Sequence, residues 1–173
     1  MPEPSIRAAS QGDTQTLSHI GVATFVETYS DIIDGPAMMA HCTHEHSTDT
    51  YEAYLSASDT KAWLAEAANT HAPIGYALNC KPDLPILLHS KDLELKRIYV
   101  LSKFHGSGIA ARLVEAAIDH ARQNDAPRLL LGTYEGNQRA MAFYKKHGFV
   151  QVGTRQFQVG SNIYDDIVMA KQL

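Results

Sequence analysis

A chain of 173 residues, 45% hydrophobic and 20% charged, is long enough to bury one core without disulfides or a structural metal and has the balance of an ordinary globular domain. Its formal net charge of −4 has the wrong sign for nonspecific nucleic-acid binding and mildly attracts a cationic amine. Cys42 and Cys80 make no disulfide framework, MPEPSIRAAS has neither a basic nor an apolar leader region, and no apolar run nears the ~18 residues of a membrane span, so a single cytoplasmic domain over residues 1–173 is expected, with no nucleic-acid or membrane partner.

In chain order, Ser5 to Ala9 reads as a short opening strand. Asp13 is the expected N-cap of a helix whose apolar stripe is Leu17, Ile20, Gly21, Thr24, Phe25 and Thr28. Gly35-Pro36 breaks that helix, and Ala37 to His46 is a short helix or loop. Its His41, Cys42, His44 and His46 are the residue types that bind zinc, yet HCTHEH lacks a second half-site at zinc-finger spacing, so no metal is expected and a solvated histidine face is the better reading. A further helix starts near Ser47 to Asp49, with Asp49 and Glu52 at capping-box spacing and Tyr51, Tyr54 and Leu55 as its apolar side. TKAWLAEA has helical propensity, but IGYALNC after a polar turn argues that the two form a hairpin. Pro82 and Pro85 make Lys81 to Ser90 a loop.

The stretch from Leu93 to Asn124 carries the strongest pattern: a strand (LELKRIYV), a loop with Gly106 and Gly108, and a helix with Ile109, Leu113, Ala116, Ala117 and His120 on one side. Glycines before a helix let the backbone approach a ligand, and the first helical N–H groups make an anion site suited to phosphate. The P-loop pattern fails because no Lys-Ser or Lys-Thr follows at its offset. A dinucleotide fingerprint is matched only loosely by GSGIAA, in a loop past the middle of the chain. An ordinary strand-to-helix turn is the bland alternative. Downstream, Arg128 to Leu131 reads as a strand, Gly132 to Gly136 as a turn, and Asn137 to Lys146 as a helix closed before Phe149 by Gly148. Asn137 and Tyr144, seven residues apart, share one helix face. A buried phenol needs a polar partner, which separates Tyr144 from core residues such as Phe143 and Phe149. Phe149 to Phe157 and Ile163 to Ala170 complete a mixed sheet through a turn at Gly160-Ser161-Asn162.

His105-Gly106-Ser107-Gly108-Ile109-Ala110 resembles the acyl-CoA loop of the GCN5-related N-acetyltransferase (GNAT) superfamily, with His105 where that family has Arg or Gln. NxxAxxFYxxxGF from Asn137 to Phe149 resembles the family's second cofactor segment, and LELKRIYV, AMAFYKKHGFVQVGT and DIVMAKQL look most like PaiA-type spermidine/spermine N-acetyltransferases. The resemblance implies the GNAT α/β fold, a mixed sheet flanked by helices, and acetyl transfer from acetyl-CoA to a primary amine such as a polyamine. It implies that His105, Gly106, Ser107, Gly108, Ile109, Ala110 and Asn137 bind the cofactor, that main chain at Ile98, Tyr99 and Val100 faces the thioester, and that Tyr144 also contacts the cofactor and is the general acid. Glu94 is the candidate base, unless it simply pairs with Lys96 on the same strand face. Phe25 and Tyr29, in FVETY, are the expected acceptor contacts, although Phe25 fits the core equally well. A homodimer follows by family analogy. The alternatives are a CoA-responsive module of the same fold without turnover, and an enzyme acting on amino acids or peptide N-termini.

Overall fold

The computed structural model describes residues 2–173. Its sheet has seven strands in the order β1-β2-β3-β4-β5-β7-β6. They are β1 (Ser5–Ala8), β2 (Lys61–Glu66), β3 (Pro73–Cys80), β4 (Leu93–Val100), β5 (Arg128–Tyr134), β6 (Val150–Val159) and β7 (Asn162–Gln172). Every neighbouring pair is antiparallel except β4 and β5. That parallel pair needs a crossover, which helix α4 (Ile109–Gln123) supplies. TKAWLAEA is strand β2, because its partner β3 offers a ladder that helical propensity cannot match.

Helices α1 (Thr14–Tyr29), α2 (Gly35–Glu45) and α3 (Thr48–Ser56) cover one face of the sheet, and α4 with α5 (Gln138–Lys146) covers the other. Along α4, Ile109, Leu113, Val114, Ala117, Ile118 and Ala121 are buried, a stripe one residue wider than the i, i+4 reading, while Arg112, Glu115 and Asp119 face water. They pack on Leu93, Leu95, Leu129 and Leu131 of the sheet. On the opposite face Leu17 and Ile20 of α1 meet Leu64, Tyr76 and Leu78. Among the described residues no helix is long and apolar enough to cross a membrane.

Helices start at Asp13 and within Ser47 to Asp49 as expected, but the capping bonds differ, because polar groups found other partners. Asp13 occupies the N-cap position of α1, but its carboxylate is taken by Arg7 (2.8 and 2.9 Å) and by the Ser10 N–H (2.7 Å). Helix α3 is capped by Ser47, whose Oγ accepts the Thr50 N–H at 3.1 Å, so Asp49 lies inside it. Gly35 and Pro36 open α2 rather than merely ending α1, with Asp34 accepting the Ala37 N–H at 3.0 Å and the proline ring fitting the first turn. Gly132 to Tyr134 remain in β5, held by β7, so the expected turn shrinks to Glu135 and Gly136.

Candidate active site

The sheet divides where β4 and β5 stop pairing. They match only at Leu93–Leu129 and Glu94–Leu130. Beyond that point β4 stays with β3 to Val100, and β5 stays with β7 to Tyr134. The Leu101 N–H bonds the Ile74 carbonyl. Antiparallel pairs alternate, so Tyr99 and Arg97 also turn their main-chain groups toward β3, and the N–H groups of Ile98 and Val100 face the gap. A cavity of about 520 Å³ occupies the gap, within the ~300–1,000 Å³ usual for small-molecule sites. At the closed end, the buried Asp92 just before β4 accepts from Arg128 at the start of β5, with Nε to Oδ1 at 3.2 Å, and Arg128 also donates to the Leu87 carbonyl at 2.9 Å.

At one side of the cavity lies the loop before α4. Gly106 and Gly108 have φ of +80° and +84°, a region that side chains with a Cβ rarely adopt, and open space lies where a Cβ would project. The N–H groups of the first turn of α4 point outward beside Gly108. A second hollow of about 330 Å³ lies against this loop and shares Val100, His105, Ala110, Arg139 and Phe143 with the first. His105 Nε2 lies 2.7 Å from the Val100 carbonyl, and its Nδ1 meets Arg139 Nη1. A guanidinium only donates, so Nδ1 accepts and Nε2–H donates. The imidazole is thus folded back onto β4, and Arg139 from α5 brings a cation to the place where Arg or Gln was expected.

Asn137 caps α5 by accepting the Ala140 N–H at 3.1 Å, and two turns later Tyr144 lines the same cavity. The Tyr144 ring packs against Phe143 and Phe149, 5.5 and 6.0 Å between centroids, and only 8% of the residue is exposed. Its hydroxyl bonds no group among the described residues. Burial, and then the nearby Tyr99 hydroxyl, push its pKa above the ordinary phenol range, so it holds its proton.

The far half of the cavity lies under α1 and α2 and is rich in polar side chains. Tyr29 and Tyr99 face one another, and the proximity of Tyr99, then burial, raise the Tyr29 pKa. His46 is 2% exposed, with Nδ1 2.9 Å from the Tyr51 hydroxyl and 3.5 Å from Arg97 Nη1. Burial first, and then the Arg97 charge, lower its pKa to about 3, so it stays neutral. Gly21 permits this contact, since a Cβ there would come within 2.4 Å of the Tyr51 hydroxyl and 2.5 Å of His46 Nδ1. Arg155 on β6 donates to Asp166 on β7 at 2.6 Å.

The profile of the acetyltransferase (GNAT) family matches residues 27–149, which include β4 and β5 on either side of the gap, the glycine loop and Tyr144. The chain belongs to the GNAT family. An uncharacterized N-acetyltransferase of Mycobacterium tuberculosis is 33% identical over 161 residues, 93% of this chain and 98% of that one. N-acetyltransferase 8F1 of Rattus norvegicus is 34% identical over 117 residues, 68% of this chain and 51% of that one. Among solved structures, a PaiA N-acetyltransferase of Thermoplasma acidophilum in complex with coenzyme A superposes with a TM-score of 0.79 at 20% identity, covering 99% of both chains, which is a likeness of fold. This GNAT chain is therefore an N-acetyltransferase with the mixed α/β sheet of its family.

Against that fold, the expected site residues of this GNAT enzyme separate cleanly. Phe25, Tyr29, Glu94, Ile98, Tyr99, Val100, His105, Ala110, Asn137 and Tyr144 line the larger cavity, and Gly106 and Gly108 line the smaller. Ser107 and Ile109 do not line either with their side chains: the Ser107 hydroxyl donates back to the Phe104 carbonyl at 2.6 Å, and Ile109 is buried in the core, because a turn must close and α4 must seat on the sheet. Glu94 is 2% exposed, accepts the Asp83 N–H at 2.9 Å and lies 3.6 Å from Lys96 Nζ, so it both faces the cavity and makes the pairing expected as its alternative. The histidine segment is not the solvated face expected, because His41 and His46 turn inward with their rings 5.8 Å apart. His41 stacks on Phe25 at 4.3 Å, His46 is buried, His44 is exposed and Cys42 enters the core, and among the described residues no three His, Cys, Asp or Glu side chains gather as a metal site. Arg97, Arg139, Arg155, Asp166 and His46 also line the cavity and were missed. Arg97 had a visible signal, as a cation inside the apolar run LELKRIYV.

Proposed function

We propose that the chain, working as one domain over residues 1–173, transfers the acetyl group of acetyl-CoA to a primary amine by direct attack in a ternary complex. The observation that carries this reading is the gap between β4 and β5, lined by two unpaired N–H groups and by the unpartnered Tyr144 hydroxyl. In the reaction the amine nitrogen bonds to the thioester carbonyl carbon, the carbon–sulfur bond breaks, the nitrogen loses a proton and the sulfur gains one. The N–H groups of Ile98 and Val100 stabilise charge growing on the carbonyl oxygen without reorganising. Tyr144 gives its proton to the sulfur, and Glu94 takes the proton from nitrogen, which is needed because a free alkylamine has a pKa of ~10. Main-chain N–H groups between His105 and Ala110 hold the pyrophosphate of CoA at the start of α4, with Arg139 adding charge and Asn137 its side-chain amide. Phe25 and Tyr29 flank the acceptor.

Calorimetric titration should give micromolar CoA binding and no response to ATP or NAD, and tighter binding of NAD would sink the reading. Gly108→Val puts a branched side chain on a left-handed residue and into the space proposed for the pyrophosphate. The KM for acetyl-CoA should rise about tenfold or more, about 1.4 kcal/mol, with the fold intact by circular dichroism. Unfolding would make Gly108 a turn residue only, and unchanged kinetics would remove it from the site.

The PaiA-like phrases suggest spermidine or spermine as the acceptor, and the mildly acidic balance of the chain agrees. Such a substrate should show a KM that rises with salt, since exposed charges are screened beyond ~10 Å at 0.1 M. Family analogy adds a cytoplasmic homodimer, which sedimentation of the purified chain checks.

A further inference from the structure

Two guanidinium groups line the half of the cavity under α1 and α2, one on each arm of the split sheet. Arg97 on β4 is 8% exposed and leans on the rings of Tyr51 and Tyr54 at 5.1 and 5.5 Å. Its hydrogen bonds go to neutral groups, the Glu45 carbonyl at 2.8 Å and His46. The carboxylate beside it, that of Glu45, lies 3.8 Å away on a side chain 54% exposed, where water screens it. A buried cation among neutral partners leaves positive potential in the space it faces.

Arg155 on β6 is more open and looks built for a ligand. One corner of its guanidinium is fixed by Asp166, itself 4% exposed. Its Cζ sits 5.3 Å over the Phe157 ring, and its plane crosses β5 at Gly132, where a Cβ would fall 2.6 Å from Nη2. Nε is buried without a partner, and Nη1 bonds nothing among the described residues. Meanwhile the carboxylates of the cavity other than the exposed Glu45, which lies 3.8 Å from Arg97, are hydrogen-bonded. Asp166 is bound by Arg155, Glu94 by the Asp83 N–H, and both oxygens of Glu27 by Ser102 at 2.7 and 2.9 Å. The spare capacity of this half is for an anion, and it offers no unengaged buried carboxylate for the further ammonium groups of a polyamine.

We propose that the acceptor is an amine that also carries a carboxylate, and that Arg155, anchored by Asp166, holds this carboxylate while Arg97 adds positive potential beside it. The inference rests on acetyl transfer to a primary amine and competes with a polyamine as the acceptor. A guanidinium with one corner pinned and another free meets a carboxylate in a fixed orientation, which would leave the amine of a short amino acid directed at the gap beside Tyr99.

The test compares matched acceptors at saturating acetyl-CoA, leucine with isoamylamine and phenylalanine with phenethylamine, with spermidine as a third arm and rates expressed per neutral amine. The carboxylate-bearing member should be favoured in kcat/KM by about tenfold or more. Arg155→Gln should remove that preference, read as the ratio of the two kcat/KM values within each matched pair, and Arg155→Lys should restore part of it. If Arg155→Gln does not fold, Asp166→Asn, which frees the anchored corner, should raise the KM of the carboxylate acceptor selectively. Faster acetylation of plain amines or spermidine overturns the inference and leaves the transferase reading standing, as does equal slowing of both members by Arg155→Gln. No turnover with any amine overturns both.

Discussion

Tyr144→Phe should lower kcat by about 10²-fold or more while CoA affinity and melting temperature stay near those of the parent chain. The substitution deletes one hydroxyl that bonds no group among the described residues, so no buried partner there is left unsatisfied. The ring keeps its contacts with Phe143 and Phe149. What disappears is a proton donor at a largely buried position, where expelling an unprotonated thiolate is costly. Burial and the Tyr99 hydroxyl raise the phenol's pKa, which keeps the donor loaded across neutral pH and predicts no loss of activity from its own ionisation there. Stopped-flow thiol release separates the outcomes. Lost CoA affinity with an unchanged kcat would make Tyr144 a binding residue, and unchanged values of both would return it to the core.

Asp92→Ala should cost about 3–5 kcal/mol of stability, the range for removing one member of a buried ion pair. Asp92 has a fully buried side chain and that of Arg128 is 11% exposed, so the variant strands a guanidinium with only the Leu87 carbonyl beside it. Burial alone would raise the Asp92 pKa, but the Arg128 guanidinium and the His89 N–H outweigh it and hold the carboxyl below its usual range. A depressed carboxyl contributes fully above its unfolded value of ~3.9 and loses that contribution as pH falls through the folded value. Urea melts of variant and parent should therefore differ at pH 7 and converge in acid. A double variant, Asp92→Ala with Arg128→Met, should recover part of the loss, and a single variant as stable as the parent would show the pair to be incidental.

The legible parts of the chain were those where local spacing carries the information. The glycine loop, α4 and the Asn137–Tyr144 face are each contained in one short segment, and their backbone roles hardly depend on neighbours. Element ends were less legible, because Asp13 and Gly132 answer to partners outside their own elements, and at α3 two polar residues compete for the cap, which Ser47 takes. Strict alternation misreads β4 for a definable reason. A register irregularity opposite Leu78 and Asn79 interrupts the period, so Leu93 and Leu95 share the α4 face with Ile98 and Val100, while Arg97 and Tyr99 turn to the other. Arg155 and Asp166 were invisible for another reason, and His46 stood out only as one of a histidine-rich segment. Each joins the site only through tertiary contact with α1, α2 or a neighbouring strand.

A seven-stranded sheet joined across its middle by two residue pairs is, mechanically, two plates on a short hinge. The plate of β1 to β4 and the plate of β5, β7 and β6 are each stiffened by longer ladders, so the compliance of the sheet concentrates in the line between them. The Asp92–Arg128 pair works as a rivet at one end of that line, and at the other end nothing in the ladder resists a change of angle. A molecule lying between the plates then acts as a shim that sets their angle, and the precision with which the two walls meet the reacting atoms becomes a property of the wedge as much as of the protein.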